Sequence, residues 1–381
     1  MKKSIYLDYN ATTPIDKEVA DEMISVIQHQ YGNPSSSYEI GRNSKKVIEN
    51  ARKQVASLIN AQPEEIIFTS CATESNNIAI QGIAFANHLK GKHIITSVIE
   101  HPAIIEVCKY LETQSFEVSY LPVDTRGRVN PQDVEKAIRP ETILITIMHA
   151  NNEVGTIQPI SEIAVIAKQK NILFHTDAAQ TVGKIETDVE KLGVDLLTIA
   201  GHKLYAPKGI GALYIKQGTK IQKIMYGASQ EKGIRPGTEN LVHIVALGKA
   251  CEVAKRDFNK NYAAMLTAKN NLLAGLQNQL SEKIIVNGDP VHCLPNTLSI
   301  AFNNVEAHTL ASIISNDIYI STGSACHANS VEISSVLKAM NLDTRTAAGT
   351  VRISTGKHTS SEEIETAVKL ISETVIKLRA H

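Results

Sequence analysis

The chain has 381 residues, of which 43% are hydrophobic, so it is long enough for a large core that we expect to divide into two domains. Lysine plus arginine equals aspartate plus glutamate, at 39 each. This balance provides no basic surface, which argues against nucleic acid or an anionic membrane as the main partner. It favours a small-molecule substrate.

The start of the chain and the cysteines indicate where the protein works. A strand-like stretch at residues 4–7 comes almost first, without the charged and apolar regions of a signal peptide, and no later apolar run approaches the length of a membrane span. The five cysteines are scattered with no Cys-x-x-Cys pair, which argues against a disulfide framework or a zinc site. We therefore expect a cytoplasmic protein with reduced thiols and no bound metal.

Between about residues 63 and 216, short apolar runs alternate with segments of helical period. This pattern is typical of a largely parallel sheet with helices on both faces, the α/β class. Seven runs are predicted as strands of one sheet: 66–69, 93–96, 118–123, 143–148, 172–175, 196–199 and 210–215.

The remainder of the chain predicts a smaller α+β unit. Two long helical patterns, 239–256 and 262–280, lead into it. We place the large domain at residues 16–256 and the small domain at residues 1–15 and 257–381. The later elements are predicted as strand 297–302, helix 307–315, polar loop 321–330, helix 332–340, strand 350–354 and helix 361–378.

Polar residues follow five of the predicted strands. In an open α/β sheet the ligand lies beyond the carboxyl ends of the strands. Chance placement of five such residues is much less probable than chance placement of one, so we expect them to form one site. They are Thr73, His101, Asn152, Asp177 and Lys203.

Lys203 and Asp177 together indicate pyridoxal phosphate (PLP) chemistry. Lys203 lies in a loop with Gly201, Pro207 and Gly209, and Asp177 directly follows a predicted strand. An enzyme that forms a Schiff base with PLP needs a lysine that reaches the aldehyde and a carboxylate that keeps the pyridine ring an electron sink. Alone, such a lysine is usually solvated and such an aspartate usually caps a turn. Their combination carries the prediction.

Other residues suit further parts of a PLP site. Thr73 lies where a helix opens after a strand, where free N–H groups attract phosphate. His101 can stack on the pyridine ring and move protons, while Asn152 and Gln180 can bind the phenolic oxygen. Arg352 is a charge on an apolar strand and needs a partner, for which a substrate carboxylate is suitable.

Cys326 lies in the segment 321–330, which is small and polar and therefore typical of an exposed loop. A cysteine in such a loop does not fill a core. It is either a passive thiol or a nucleophile, and only the thiolate reacts, which His327 can help to form.

The motifs quoted above resemble those of the cysteine desulfurases of the nitrogen-fixation and iron–sulfur-cluster type and of their relatives, the selenocysteine lyases. Both are fold-type I PLP enzymes of the class V aminotransferase group. The resemblance covers essentially the whole chain, from Tyr6-Leu7-Asp8-Tyr9-Asn10-Ala11-Thr12-Thr13-Pro14 and Gly32-Asn33-Pro34-Ser35-Ser36 to Arg352.

The resemblance implies a homodimer and assigns a role to each candidate residue. The implied roles are Lys203 as the Schiff-base lysine, Asp177 as partner of the pyridine nitrogen, Gln180 as partner of the phenolic oxygen, His101 as the stacked base, Thr73 and His202 as phosphate ligands, Thr238 as a phosphate ligand of the neighbouring subunit, Asn152 and Arg352 as holders of the substrate carboxylate, and Cys326 as the sulfur acceptor.

The expected activity is conversion of L-cysteine to L-alanine with transfer of sulfur to Cys326 as a persulfide. The sulfur then passes to an acceptor such as an iron–sulfur scaffold or a tRNA-thiolation protein. Ala200 stands where many desulfurases have a phosphate-binding hydroxyl, and the segment 228–231 replaces one richer in glycine. Segments 235–240 and 325–327 look closer to selenocysteine lyases, which release selenide from L-selenocysteine, so this activity is the alternative.

Two further classes of function would have different requirements. A PLP aminotransferase would use Lys203 and Asp177 but would not need Cys326. A sulfur-transfer scaffold without activity would not need to keep Lys203. The intact site argues against the scaffold, and the loop cysteine argues against the aminotransferase.

Overall fold

The computed structural model describes residues 4–281, 284–322 and 333–380, and the backbone of residues 326–327 and 330–331. After a short strand, β1 (Ile5–Tyr6), the chain builds a seven-stranded sheet in the order β2-β8-β7-β6-β5-β3-β4. The strands of this sheet are β2 (Ile66–Thr69), β3 (His93–Ser97), β4 (Glu117–Leu121), β5 (Thr142–Thr146), β6 (Leu173–Asp177), β7 (Leu196–Ala200) and β8 (Gly211–Ile215).

All seven predicted strands lie in this one sheet, which confirms the predicted α/β fold. Neighbouring strands are parallel except at β8, which is antiparallel to both β2 and β7. Because β8 is antiparallel to both of its neighbours, β2 and β7 run in the same direction. The carboxyl ends of β2, β3, β5, β6 and β7 therefore meet at one edge of the sheet.

Helices cover both faces of the sheet, since successive side chains of a strand point to opposite sides. Ile67, Ile94 and Leu144 pack in one apolar cluster, while their neighbours in sequence, Phe68 and Ile145 among them, pack in another. The helices of this region are α1 (Lys17–His29), α2 (Glu39–Leu58), α3 (Ala72–Asn87), α4 (Pro102–Thr113), α5 (Pro131–Ala137), α6 (Ile160–Gln169), α7 (Val189–Leu192) and α8 (Leu241–Arg256), with short 3₁₀ turns at Pro63–Glu65, Gly201–Lys203 and Gln230–Gly233.

The later part of the chain forms a four-stranded antiparallel sheet with the order β12-β15-β10-β9. β1 pairs with β11, so the amino-terminal segment lies beside this region. The elements are α9 (Phe258–Leu280), β9 (Ile284–Asn287), β10 (Thr297–Phe302), α10 (Ala307–Ile314), β11 (Ile318–Tyr319), β12 (Ser321–Thr322), β13 (Cys326–His327), β14 (Ser330–Val331), α11 (Ser335–Ala339), α12 (Thr344–Ala348), β15 (Thr350–Ser354) and α13 (Ser361–Arg379).

Three local predictions differ from the structure. The predicted helix 262–280 begins earlier, at Phe258. The predicted helix 332–340 is observed only as α11, because the hydroxyl of Ser334 accepts hydrogen bonds from the N–H groups of Val336 and Leu337 and so begins the helix there. The predicted loop 321–330 contains β12 and the paired strands β13 and β14.

Across the described ranges, none of the helices combines the length and the apolar character that a membrane span requires.

Candidate active site

A cavity of about 320 Å³ opens at the carboxyl edge of the seven-stranded sheet. The structure brings residues from both ends of the chain to its wall, and the roles of these residues remain proposals. Eight of the ten residues singled out from the sequence line it: Thr73, His101, Asn152, Asp177, Gln180, His202, Lys203 and Arg352.

The sheet explains this convergence. Thr73 lies in the first turn of α3 after β2, and His101 is the residue that precedes α4 after β3. Asn152 follows β5, Asp177 is the last residue of β6, and Lys203 ends the 3₁₀ turn after β7. Because these strands run in one sense, their following residues meet at the same edge.

The amine of Lys203 lies against the amino-terminal segment. Its Nζ donates hydrogen bonds to the backbone carbonyls of Asn10 and of Ala11, the latter at 2.8 Å. Burial and, after it, the positive charge of Arg352 lower the pKa of Lys203 to about 8, against the opposing effects of Asp8 and Asp177. A substantial fraction of this amine is therefore neutral near pH 8, as a nucleophile or base requires.

Asp177 is only 7% exposed, and hydrogen bonds to both of its carboxylate oxygens hold it in place. Its Oδ2 accepts a hydrogen bond of 2.8 Å from the side-chain amide of Asn76. Its Oδ1 accepts one of 2.9 Å from the backbone N–H of Ala179. Two donors on two oxygens fix the plane of the carboxylate, as expected for a group that pairs with one atom of a ligand.

The ring of His101 has a defined tautomer. Its Nδ1 accepts a hydrogen bond of 3.1 Å from the backbone N–H of Ala103, so the proton of the neutral ring resides on Nε2. Burial lowers the pKa of His101, with Asp177 opposing and Lys203 adding to the effect. The ring is therefore neutral at neutral pH and presents one N–H.

The amino-terminal end of α3 and His202 form the part of the wall that suits an anion. The residue that precedes α3, Cys71, gives its first-turn N–H groups no side-chain acceptor. Nδ1 of His202 lies 3.1 Å from the hydroxyl of Thr12. Burial, reinforced by nearby lysines, lowers the pKa of His202 to about 4, so its ring is neutral. Ala200 contributes only a methyl group to the wall.

Arg352 is engaged on two of its three nitrogens. Its Nη2 donates to Oδ1 of Asp8 at 2.6 Å, and its Nη1 donates to the backbone carbonyl of Asn152 at 3.2 Å. Nε is buried without an acceptor among the described residues. A buried donor without a partner is costly, so this side of the guanidinium fits a ligand carboxylate.

Two predicted residues are not part of this wall as described. Thr238 lies away from the cavity, on an exposed segment just before α8. The backbone of Cys326 pairs with Val331 in the β13–β14 hairpin, but its side chain lies outside the described residues.

Sequence reasoning gave no role to Asn10, which is 1% exposed and lines the cavity. Its backbone carbonyl accepts hydrogen bonds from Lys203 and from Nε2 of Gln180, the latter at 3.0 Å. Its side chain contacts Asn296 and Thr297 of the later region at 3.0 and 2.8 Å. The only signal in the sequence was its place within the resembling motif at residues 6–14.

This donor set fits PLP. A lysine of lowered pKa, a fixed carboxylate and a neutral histidine line the same cavity as uncapped N–H groups at a helix start. These are the groups that an aldehyde, a pyridine nitrogen, an aromatic ring and a phosphate each require.

Comparison with known proteins agrees with this class of site. The family model described as "Aminotransferase class-V" matches residues 5–366, and the chain belongs to that family. Its members are PLP-dependent enzymes, which makes PLP the cofactor of this protein.

The particular relatives are cysteine desulfurases. The chain is 46% identical over 380 residues to a cysteine desulfurase IscS of Dictyoglomus turgidum, covering 100% of this chain and 96% of the relative. It is 47% identical over 378 residues to one of Methanosarcina thermophila, with coverage of 99% and 93%. A solved NifS-like protein superposes with a TM-score of 0.92 at 39% identity, covering 98% of this chain and 100% of the other.

Proposed function

We propose that the protein is a PLP-dependent cysteine desulfurase that converts L-cysteine to L-alanine and transfers the sulfur to Cys326. The observation that carries the proposal is the cavity in which Lys203, with its lowered pKa, lies with Asp177 and Arg352. The full-length similarity to cysteine desulfurases supports the substrate.

The bound PLP would supply an electron sink for the negative charge that develops when the substrate loses its Cα proton. In this proposal the carboxylate of Asp177 would hold a proton on the pyridine nitrogen. Hydrogen bonds from Asn76 and Ala179 fix the position of its two oxygens for this contact. Thr73, His202 and the N–H groups that begin α3 hold the phosphate.

Lys203 and His101 are the residues that move protons. The Lys203 amine, when it is free, would accept the Cα proton of the substrate. Its lowered pKa makes it suitable for this role. The neutral ring of His101 carries its proton on Nε2 and can donate it to the substrate carbon when the C–S bond breaks.

Arg352 and Asn152 would orient the substrate through its carboxylate. The unpartnered Nε of Arg352 leaves one side of its planar guanidinium available for this contact. Asp8, which now pairs with the other side at 2.6 Å, holds the guanidinium in place.

Sulfur transfer is proposed to use Cys326 as nucleophile. The thiolate attacks the substrate sulfur, a new S–S bond forms, and the C–S bond breaks with its electron pair returning to the carbon, which takes up a proton. L-cysteine and the Cys326 thiol thus become L-alanine and a Cys326 persulfide, with no external oxidant. The similarity to named desulfurases favours this activity over that of a selenocysteine lyase or an aminotransferase.

The assembly and partners form a finer part of the proposal. We propose a homodimer in which Thr238 reaches the phosphate of the partner subunit's site, and delivery of sulfur to a scaffold for iron–sulfur assembly or a tRNA-thiolation protein. We also propose the division into residues 16–256 and residues 1–15 with 257–381. A separate apolar cluster that joins Ile5 and Leu7 to residues between Ala268 and Val375 supports it, while Val336, Leu337, Met340 and Ala347 pack with the core of the large domain. A cytoplasmic location remains a prediction.

The test is to incubate the purified protein with L-cysteine or with L-selenocysteine and to measure alanine, sulfide and selenide. We expect a yellow protein that forms alanine from L-cysteine, with sulfide release in the presence of a reducing thiol. Cys326→Ala should keep the colour and the spectral change on addition of L-cysteine but lose sulfide release. A colourless protein that PLP cannot reconstitute, or full cysteine desulfuration by Cys326→Ala, would contradict the proposal.

A further inference from the structure

A lysine lies buried behind the cavity wall, where the proposed mechanism gives it no part. Lys184 is 4% exposed. Its Nζ contacts Oε1 of Gln180 at 2.8 Å and Oδ1 of Asn10 at 3.3 Å. Both acceptors belong to residues that line the cavity. Burying an amine among neutral amide oxygens is costly, so its position calls for an explanation.

The contacts of Gln180 define which way its amide points. A backbone carbonyl can only accept, so the end of the Gln180 amide that lies 3.0 Å from the carbonyl of Asn10 must be the donor nitrogen. The other end, which faces the amine of Lys184, is therefore the acceptor oxygen. The reversed amide would place two donors together at one end and two acceptors together at the other.

We propose that Lys184 is a positioning residue for the cofactor site, because it fixes the Gln180 amide with its oxygen turned away from the ligand and its N–H donors on the cavity side. This inference rests on the proposed function, in which Gln180 donates to the phenolic oxygen of PLP. That oxygen carries negative charge, so a carboxamide oxygen turned toward it would repel it.

Two observations support a role in the site over a role in general packing. Lys184 also contacts the side chain of Asn10, whose backbone carbonyl accepts a hydrogen bond from the Lys203 amine, so one side chain contacts both Gln180 and the residue that Lys203 donates to. Burial lowers the pKa of Lys184, and the positive charges of Lys203 and Arg352 add to that effect, so these two groups lie near it. Positive charges at this place suit a site for an anionic ligand.

The test uses Lys184→Met, which keeps most of the length of the side chain but removes the donor, and Gln180→Ala, singly and together. Lys191→Met is the matched control, since that lysine lies nearby in sequence and is 65% exposed. The apparent dissociation constant for PLP and the visible absorption maximum of the bound cofactor are measured for each purified protein. The unfolding transition of each protein without cofactor is recorded in parallel.

We expect Lys184→Met to weaken PLP binding by about tenfold, as the loss of one oriented hydrogen bond to a charged group predicts, and to shift the absorption maximum as Gln180→Ala does. The double variant should be no worse than the worse single variant, since Lys184 acts through Gln180. Unchanged binding and absorption in Lys184→Met, or additive effects in the double variant, would overturn the proposal.

If Lys184→Met does not fold, the same comparison is made with Lys184→Leu, which also removes the donor. Failure of the proposed function has a different signature. In that case the wild-type protein itself acquires no visible absorption with PLP.

Discussion

Arg52 and Glu231 form a buried ion pair with two N–H···O contacts, of 2.8 and 2.7 Å, although 179 residues separate them in the chain. The exposed fractions of the two side chains are 9% and 4%. Glu231 also accepts a hydrogen bond of 2.8 Å from the backbone N–H of Phe68 in β2. The pair therefore attaches the segment before α8, which carries Thr238, to the edge of the seven-stranded sheet.

We expect Glu231→Ala to destabilise the protein by about 3–5 kcal/mol, because it leaves the buried guanidinium of Arg52 with only the longer contact of 3.3 Å to the more exposed Glu49. Chemical denaturation followed by circular dichroism measures this change. The double variant Arg52→Met with Glu231→Leu, which has no buried charge, should recover much of the loss. Lys109→Ala, which breaks the exposed pair with Glu106, should change stability by less than about 1 kcal/mol. Equal effects of the buried and exposed substitutions would contradict this account.

The sequence predicted the strands well because buried strands of a parallel sheet are apolar along their whole length. Every residue of β5, for example, is buried. It also predicted that a charge on β15 needs a partner, and Asp8 supplies one for Arg352 in the structure.

Contacts between distant parts of the chain could not be predicted in this way. Lys184 contacts Asn10, 174 residues away in the chain, and the local sequence of neither segment predicts this contact. The start of α11 depends on one residue, Ser334, whose side chain accepts hydrogen bonds from the first turn. The apolar pattern of the sequence does not mark this position.

Glu100 makes the stability depend on pH. It is 5% exposed, and burial raises its pKa to about 8, with the charge of Asp177 adding to the effect. The unfolded chain titrates this group near its ordinary value of 4.5, so the folded state binds more protons between about pH 4.5 and 8. Its contribution to stability is therefore complete below about pH 4.5 and is lost as the pH rises through 8.

We expect Glu100→Gln to remove this loss, which amounts to a few kcal/mol, and to be more stable than the wild type at pH 9. The variant keeps an oxygen that accepts from the hydroxyl of Ser97, now 2.6 Å from Glu100. Unfolding free energies at pH 5, 7 and 9 give the comparison, with Glu106→Gln as an exposed control. A wild-type pH profile identical to that of Glu100→Gln would show that Glu100 is ionised in the folded state.

The amine of Lys203 should react at lower pH than an ordinary lysine. With its pKa lowered to about 8 by burial and by Arg352, its labelling by acetic anhydride in the protein without cofactor should rise with a midpoint near pH 8. Mass spectrometry of the Lys203 peptide measures the labelling, and the Lys191 peptide serves as reference because an exposed ion pair raises the pKa of that lysine. Arg352→Gln should move the Lys203 midpoint upward. Parallel profiles for Lys203 and Lys191 would contradict the lowered pKa.

Arg352 should determine how well the substrate carboxylate binds. Arg352→Gln removes the guanidinium whose Nε has no acceptor among the described residues, so the Michaelis constant for L-cysteine should rise by about 10- to 100-fold, the effect of losing a charged hydrogen bond. The visible absorption of bound PLP should remain, because Arg352 is not among the residues proposed to hold the cofactor. Steady-state kinetics at several substrate concentrations separate the Michaelis constant from the turnover number. Arg345→Gln, at an exposed position on α12, is the control. A fall in the turnover number with an unchanged Michaelis constant would instead place Arg352 in the chemical step and would remove it from carboxylate binding.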